Sequence, residues 1–304
     1  MLRSDMERYI QLRQSAGFKL SNESLMLRSF VSVAELHGDR YISTDRALAW
    51  AGQGSSAAQR NRRISIVRHF AQTLQAEDDL HQVPPRNAFG NAKHRRPPPY
   101  IFSPGEITRL IETADQLKPV GSIRPKMLAM LFGLLAATGL RISEALALRV
   151  QDVTADGLRI LESKFQKSRL VPLHDTTHAV LKRYLATRAL TFAATDALFV
   201  GIHGKVPNYF GVKDVFDRLV KAMGLHQARN GRRPHIHDLR HTFAVRSLEQ
   251  YSGDRKAVSR HMTALSTYLG HTNVTGTYWY LEATPVLLRQ IAEAAETFQG
   301  EGEL

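Results

Sequence analysis

Four short segments of the chain carry residue types that could act on a phosphate ester. In chain order they span residues 137–144, 164–167, 234–243 and 269–280. The first places Arg141 at a predicted helix start, after a glycine turn, with Glu144 one turn further on the same face. A guanidinium in that position can clamp a phosphate. A surface Arg–Glu pair fits the same fragment.

The third segment places His237 and Arg240 three residues apart at another predicted helix start, so that the two side chains share a face. An imidazole and a guanidinium supply a proton carrier and an anion clamp. A capping histidine beside a surface arginine is the simpler interpretation. Because His237 and His241 are four residues apart, a zinc pair is a further alternative. Asp238 stands where that motif has glutamate, however, and no third ligand is evident.

The other two segments offer lysines and tyrosines. Lys164 lies at the tip of a predicted hairpin and Lys167 follows three residues later; a lysine there can enter a DNA groove or transfer a proton, although surface turns often carry lysines. His271 follows a glycine, and Tyr278 and Tyr280 lie on the short segment after it. Aromatic residues at this spacing usually pack in a core or an interface.

Taken together, the segments fit one reaction. Two arginines can neutralise the non-bridging oxygens of a phosphodiester as charge builds up in the transition state. A tyrosine phenol, whose ordinary pKa is about 10, can attack the phosphorus where positive charge favours the phenolate. A lysine can protonate the sugar hydroxyl that leaves. If arginines supply the positive charge, the reaction needs no metal ion.

The order of these segments resembles that of the tyrosine recombinase, or phage integrase, family. Its members include Xer-type recombinases, phage integrases and transposon-borne recombinases. The resemblance rests on Thr-Gly-Leu-Arg-Ile-Ser-Glu at 138–144, His-x-x-Arg at 237–240 and Leu-Gly-His at 269–271, and it covers most of residues 100–282. It implies the catalytic residues Arg141, Lys164, His237, Arg240, His271 and Tyr280, with Glu144 in a supporting role.

Two of these assignments depend on position within the motif. The family's nucleophile usually lies nine residues after the second histidine, which selects Tyr280 over Tyr278 and Tyr268. Lys164 matches the family's general acid, and Lys167 is the second choice. The family's hairpin turn often contains glycine, whereas residues 165–166 are Phe-Gln here. That departure affects the expected shape of the hairpin but not its lysine.

The overall charge agrees with a nucleic-acid partner. The chain of 304 residues has 41 Lys and Arg against 28 Asp and Glu, a formal net charge of +13. Both the first 100 residues and the remainder are basic, as expected if both touch one polyanion; a soluble protein of high pI is the alternative. The chain has no cysteine, which excludes disulfides, thiolate-bound metals and a thiol nucleophile, and fits a reducing compartment.

Hydropathy argues against a membrane protein. The longest apolar stretch, residues 127–140, is too short to cross a bilayer and predicts a buried helix instead. Asp5 and Glu7 precede any apolar run, so we expect no signal peptide. We expect a cytoplasmic protein that associates with the nucleoid.

The elements that must position these residues form two predicted domains. Residues 1–88 are expected to be a helical core-binding domain that contacts DNA, 89–102 a basic proline-rich linker, and 103–304 the catalytic domain. The predicted fold class is therefore mainly α with a small β-hairpin or sheet. Ser21 or Asn22 is expected to cap the first clear helix, which Gly38 ends. Further helices are predicted near 43–50, 56–80, 106–117, 125–138, 142–150, 175–190, 208–223, 238–251, 256–269 and 284–298, and hairpin strands at 157–164 and 168–173.

Basic side chains of the predicted helix 56–80 and of the linker are candidate phosphate contacts. They are Arg60, Arg62, Arg63, Arg68, Arg95 and Arg96. Arginines on the sides of an amphipathic helix can follow a DNA backbone, but an ordinary solvated helix face fits them equally well.

The resemblance implies a site-specific DNA recombinase that cleaves and rejoins strands through a covalent 3′-phosphotyrosine, for integration, excision or transposition of a DNA element. It implies two domains in a C-shaped clamp around double-stranded DNA and four protomers on two sites. It also implies that the covalent bond conserves energy, so that no cofactor such as ATP is required. Accessory recombinases or DNA-bending proteins are further expected partners. The apolar stripe after Tyr280 would dock on a neighbouring protomer or pack on its own domain. Type IB topoisomerase-like relaxation and a non-catalytic DNA-binding regulator are the alternatives.

Overall fold

The computed structural model describes residues 2–90, 98–161, 168–192, 195–225, 233–250 and 255–270. The chain divides into two compact units, Met1–Arg96 and Pro97–Leu304. Helices dominate both, and the second unit adds a small antiparallel sheet. The predicted fold class, mainly α with a small sheet, is confirmed. Within the described ranges, no helix is both long enough and apolar enough to cross a membrane.

The N-terminal unit consists of four described helices around one core. They are α1 (Leu2–Ser15), α2 (Ser21–Leu36), α3 (Thr44–Gly52) and α4 (Ala57–Gln75). The core centres on Trp50, which is fully buried and meets Phe30 edge to face, with ring centroids 5.5 Å apart. Ser43 and Ser56 cap α3 and α4 by accepting hydrogen bonds from backbone N–H groups three residues on.

Three expectations for this unit are corrected. The first clear helix was expected at α2, but α1 precedes it, with buried side chains that recur at helical spacing. Neither Ser21 nor Asn22 caps α2, because Leu20 occupies the cap position in the left-handed region, at φ 43°. The helix α4 ends at Gln75 rather than near residue 80, because the next turn closes with two N–H groups donating to the carbonyl of Leu74.

The C-terminal unit is built around a buried helix. Its described helices are α5 (Pro104–Asp115), α6 (Ile123–Thr138), α7 (Ile142–Ala147), α8 (Asp175–Thr191), α9 (Tyr209–Ala222), α10 (Asp238–Glu249) and α11 (Arg255–Leu269). The apolar run of α6 is buried on nearly all sides, against α5, α8 and α10, as the sequence predicts. A capping box begins α5, since Ser103 and Glu106 each accept a hydrogen bond from the other's backbone N–H.

The predicted end of α7 is wrong. A helix to residue 150 was expected, but α7 stops at Ala147 and a short 3₁₀ turn follows at Val150–Asp152. Leu148 is extended, and its carbonyl accepts a hydrogen bond from the backbone N–H of Leu198 at 2.8 Å. That contact draws the chain away from the helix.

The sheet contains three short antiparallel strands in the order β1 (Val153–Thr154), β2 (Gly157–Ile160) and β3 (Arg169–Val171). The two predicted hairpin strands are confirmed as β2 and β3, and β1 is an addition. In the register, Leu158 faces Val171 and Ile160 faces Arg169. Side chains alternate across a strand, so Arg169 lies on the same face as the buried Leu158, Ile160 and Val171.

Candidate active site

Arg141 and Glu144 form a partly buried ion pair at the start of α7. Arg141 occupies the cap position and donates from Nη1 to Glu144 Oε1 at 2.7 Å, while its backbone N–H donates to Oε2 at 3.0 Å. The Glu144 side chain is 5% exposed and that of Arg141 is 22% exposed. The predicted pairing one turn apart is confirmed. The alternative of a pair at the surface is wrong because the carboxylate is buried.

A second arginine completes the environment of Glu144. Arg169, on β3, donates from Nη1 to Oε1 at 3.2 Å and from Nη2 to Oε2 at 2.8 Å. Burial acts to raise the pKa of the Glu144 carboxyl, but the hydrogen bonds from Arg169 and Arg141 outweigh it and hold the pKa below its ordinary value. Glu144 is therefore a carboxylate shared by two guanidiniums.

Arg240 joins the two turns that flank the site. It lies on α10 and is only 2% exposed. Its Nη1 donates to the carbonyl of Gly139 at 2.8 Å, and its Nη2 donates to the carbonyl of Leu269 at 2.7 Å. The first turn leads into Arg141, and the second leads toward His271 in the sequence. The interpretation of Arg240 as a surface arginine is wrong.

The same two turns also meet through Arg141. Its Nη2 donates to the carbonyl of Gly270 at 3.0 Å. Gly139 and Gly270 both adopt the left-handed conformation, at φ 62° and 65°. A Cβ on Gly139 would lie 2.5 Å from the ring of Phe243, so glycine is required there for space as well as for backbone conformation. Hydrogen bonds thus join Glu144, three arginines and the two glycine turns into one group, with Arg240 attached through the turns. It is called the arginine cluster below: Gly139, Arg141, Glu144, Arg169, Arg240 and Gly270.

His237 lies at the solvent end of this region. It occupies the cap position of α10 and is exposed, three residues before the buried Arg240. Its ring meets that of His241 edge to face, with centroids 4.6 Å apart. In the described part of the chain, no third histidine, cysteine, aspartate or glutamate joins this pair in a group that could hold a metal ion.

Tyr268 is the tyrosine of α11 and stacks on Phe243, with ring centroids 5.5 Å apart. Burial raises the pKa of its hydroxyl to about 12, although the charges of Arg169 and Arg240 act to lower it. A nucleophilic tyrosine must ionise, and burial makes that harder. This favours a tyrosine later in the chain.

Several predicted residues lie outside the described residues. They are Lys164, Lys167, His271, Tyr278, Tyr280, Arg95 and Arg96, with the turn at 165–166 and the predicted helix 284–298. Their assignments stay predictions. The structure brings together Arg141, Glu144 and Arg240, and places His237 on the helix of Arg240.

Arg169 is the residue of this cluster that the sequence analysis missed. It occurs in Ser-Arg-Leu-Val-Pro-Leu, whose apolar residues mark a strand, and nothing in that pattern says which face an arginine takes. The register against Leu158 and Ile160 would have placed Arg169 on the buried face. An arginine on that face requires a buried acidic partner, which is the signal that was available.

Comparison with known proteins gives the family. The sequence model of the phage integrase family matches residues 101–285, which is more than half of the chain. The chain belongs to the phage integrase family of tyrosine recombinases. The resemblance that the motif order predicted is confirmed.

Relatives of this phage integrase family member extend the match along almost the whole chain. The integrase/recombinase y4rB of Sinorhizobium fredii is 35% identical over 97% of this chain and 96% of its own length. The tyrosine recombinase XerD of Oceanobacillus iheyensis is 32% identical over 87% of this chain and 82% of its own. Among solved structures, a lambda integrase tetramer bound to a Holliday junction has a TM-score of 0.62 at 20% identity, covering 90% of this chain and 78% of that one.

The predicted DNA-contacting arginines of the N-terminal unit of this integrase family member make contacts of their own. Arg60 donates to the carbonyl of Gly54 at 2.7 Å, and Arg68 donates to the carbonyl of Pro84. The guanidinium of Arg63 stacks 4.0 Å above the Trp50 ring. Of the four on α4, only Arg62 is exposed, and it approaches Glu23 at 3.5 Å. Their contact with DNA stays a prediction.

Proposed function

We propose that the protein is a site-specific DNA recombinase whose arginine cluster binds and activates the scissile phosphate. The observation that carries the proposal is the cluster itself, in which Glu144 and two glycine turns hold Arg141 and Arg240 together. Guanidiniums match the geometry of phosphate oxygens and neutralise charge that develops in a transition state.

The proposed step is an in-line displacement at phosphorus. The phenolate of Tyr280 forms a bond to the phosphorus of the scissile phosphate, and the bond to the 5′-oxygen of the next nucleotide breaks. Lys164 gives that oxygen its proton, which leaves a free 5′-hydroxyl and a 3′-phosphotyrosine. Attack by a 5′-hydroxyl of a partner strand reverses the step and completes the exchange. The phosphotyrosine keeps the energy of the broken bond, so strand joining needs no nucleotide cofactor.

The remaining residues have supporting roles in this proposal. His237 and His271 bind the scissile phosphate and accept or donate protons at the nucleophile and the leaving group. Glu144 stays ionised and fixes Arg141 so that the guanidinium meets the phosphate in one orientation. The chain's own guanidiniums supply the positive charge that the reaction requires.

The proposed partner is double-stranded DNA at two recombination sites. The net charge of +13 supports a polyanionic partner. We assign residues 1–88 to the core-binding domain, 89–102 to the linker and 103–304 to the catalytic domain. A tetramer on DNA, as in the lambda integrase structure, is the proposed active assembly, with accessory recombinases or DNA-bending proteins as further partners. In this proposal, the protein acts on DNA inside the cell.

The test is covalent capture of cleaved DNA. We would incubate the full chain, in EDTA, with nicked duplexes that tile the DNA flanking its gene, because a nick beside the cleavage point lets the short product diffuse away and traps the enzyme. A denaturing gel then reveals any protein–DNA adduct, and peptide mass analysis locates it.

The expected result is an adduct at Tyr280 that Tyr280→Phe abolishes and the matched variant Tyr278→Phe retains. An adduct that persists in Tyr280→Phe would refute the nucleophile. Tight binding to a flanking sequence with no adduct would favour a DNA-binding regulator. If the enzyme forms the adduct and relaxes supercoiled DNA but never joins two sites, the result would favour the topoisomerase alternative.

A further inference from the structure

The sheet of the C-terminal unit carries an arginine where an apolar side chain is expected. Arg169 faces Ile160 across the β2–β3 register and shares the buried face with Leu158 and Val171. Its side chain is 14% exposed. A charge on that face is costly unless it is paired, so its partner shows why it is there.

That partner is Glu144 alone among the described carboxylates. The two terminal nitrogens of Arg169, Nη1 and Nη2, donate to the two carboxylate oxygens of Glu144 at 3.2 and 2.8 Å, an end-on fork that only arginine can make. The same carboxylate oxygens accept from the Arg141 side chain and backbone, at 2.7 and 3.0 Å. Glu144 is therefore clamped from two sides, by α7 and by β3.

Arg169 also touches the turn that precedes His271. A Cβ placed on Gly270 would lie 3.1 Å from Arg169 Nη1 and 3.6 Å from Arg141 Nη1. The two guanidiniums thus pack side by side against Gly270. In the sequence, Arg169 follows Lys164 by five residues, and β3 begins at Arg169 itself. One side chain therefore connects the strand after the hairpin lysine, the Arg141–Glu144 pair and the turn before the second histidine.

We propose that Arg169 is a positioning residue for strand cleavage, which acts by holding Glu144 and thereby fixing Arg141 against the scissile phosphate. Arg169 touches no reacting atom in this role. The inference rests on the proposed function, because it assigns a task within the same cleavage step. It adds a residue that neither the motif nor the family order selects.

The experiment compares single-turnover cleavage of a trapping duplex by wild type, Arg169→Met, Arg169→Lys and Glu144→Gln. Arg159→Met is the matched control, because Arg159 is an exposed arginine on β2 whose Nη2 donates to the carbonyl of Gln151. DNA affinity is measured in parallel by gel shift. Arg169→Met is expected to slow cleavage by about 10- to 100-fold, the range for a misplaced catalytic group, while the dissociation constant for DNA stays within about threefold.

The conservative and double variants separate positioning from loss of structure. Arg169→Lys keeps the charge but offers no fork, so its rate is expected between those of wild type and Arg169→Met. The double variant of Arg169→Met with Glu144→Gln is expected to be no slower than the slower single variant, since both act through one contact. Multiplied losses in the double variant would overturn the inference.

The dependence of the cleavage rate on pH separates a positioning role from general structural damage, which would not change this dependence. Without Arg169, burial pushes the pKa of Glu144 upward, so Arg169→Met should lose activity on acidification where wild type and Arg159→Met do not. A rate and profile equal to wild type in Arg169→Met would overturn the inference. If Arg169→Met does not fold, a wild-type rate in Arg169→Lys would overturn it instead.

Failure of the proposed function has a different signature. In that case wild type itself forms no adduct at Tyr280. The contact between Arg169 and Glu144 is then tested by measuring the melting temperature of the full chain as a function of pH. Wild type should lose stability as Glu144 protonates, and Arg169→Lys should lose it at a higher pH than wild type; identical curves would overturn the inference.

Discussion

The N-terminal unit leaves several of its arginines exposed, whereas the C-terminal unit gathers three arginines into one cluster that is buried or partly buried. In the first unit, Arg3 and Arg28 pair with Glu35 and Glu7 at exposed positions. In the second, Arg240 is 2% exposed and bonds to backbone carbonyls from two separate turns. Exposed pairs can be lost at little cost, while a buried guanidinium that is removed leaves its partners without hydrogen bonds.

Arg63 shows an intermediate case. Its guanidinium covers the face of Trp50, the central residue of the N-terminal core. An arginine on the side of an amphipathic helix can therefore serve the fold as well as a partner. Charge pattern alone does not separate these tasks, because the same sequence spacing serves both.

The largest effect is expected for Arg240→Ala. The variant leaves the carbonyls of Gly139 and Leu269 without their donor, and each unsatisfied buried group costs about 1–3 kcal/mol. We expect a free energy of unfolding lower by about 2–5 kcal/mol and cleavage lower by at least about 100-fold. Urea unfolding and single-turnover cleavage measure the two losses. A variant as stable as wild type would contradict the bridging role.

The second-largest effect is expected for Glu144→Gln, and the loss of stability should depend on pH. The pKa of Glu144 is depressed in the folded protein, so the ionised carboxylate stabilises the fold above its ordinary pKa near 4.5, and this stabilisation is lost as the pH falls through the lower folded-state value. The variant should lose about 3 kcal/mol at pH 7, the size expected for a broken buried pair. On acidification, the stability of the variant should also fall less than the stability of wild type does. Melting curves recorded from pH 3 to 7 would measure this difference. Parallel curves would contradict the assignment.

The sequence alone predicts the contacts of some of these residues but not those of others. The spacing of Arg141 and Glu144 predicts their pairing, because one helical turn separates them. The burial of Arg240 does not follow from His-x-x-Arg, since its partners lie about 100 residues before it and 29 residues after it. Long-range contacts of this kind leave no local pattern.

The same distinction applies to the fold. The capping box of α5 follows from local residues and is present. The end of α7 depends on a backbone hydrogen bond between Leu148 and Leu198, which no local rule contains. The left-handed cap at Leu20 is likewise unexpected, because non-glycine residues rarely adopt that conformation.

Gly270→Ala should have a moderate effect. Alanine at φ 65° costs about 1–2 kcal/mol, and its Cβ would press on Arg169 Nη1 at 3.1 Å. Cleavage should fall by about tenfold because both guanidiniums beside the turn must shift. Gly224→Ala is a matched control, because Gly224 has φ 76° and a Cβ there would meet no atom within 4 Å. Equal losses of cleavage in the two variants would show that strain alone accounts for the effect.

The smallest effect is expected for Arg62→Ala in the N-terminal unit. Arg62 is exposed, so the free energy of unfolding should change by less than about 0.5 kcal/mol. If the side chain contacts a DNA phosphate, the slope of log affinity against log salt should decrease by about one. Arg3→Ala provides a control on another helix of the same unit. An unchanged slope would assign Arg62 to an ordinary solvated face.

The central claim is that the buried arginine cluster neutralises the scissile phosphate, and a chemical change in the DNA tests it directly. Replacing one non-bridging oxygen by a methyl group yields a neutral methylphosphonate, which needs less positive charge in the transition state. The measurement compares cleavage of both substrates by wild type and Arg141→Ala. We predict that Arg141→Ala loses at least about 100-fold on the phosphodiester and regains most of that loss on the methylphosphonate. An equal loss on both substrates would contradict the claim.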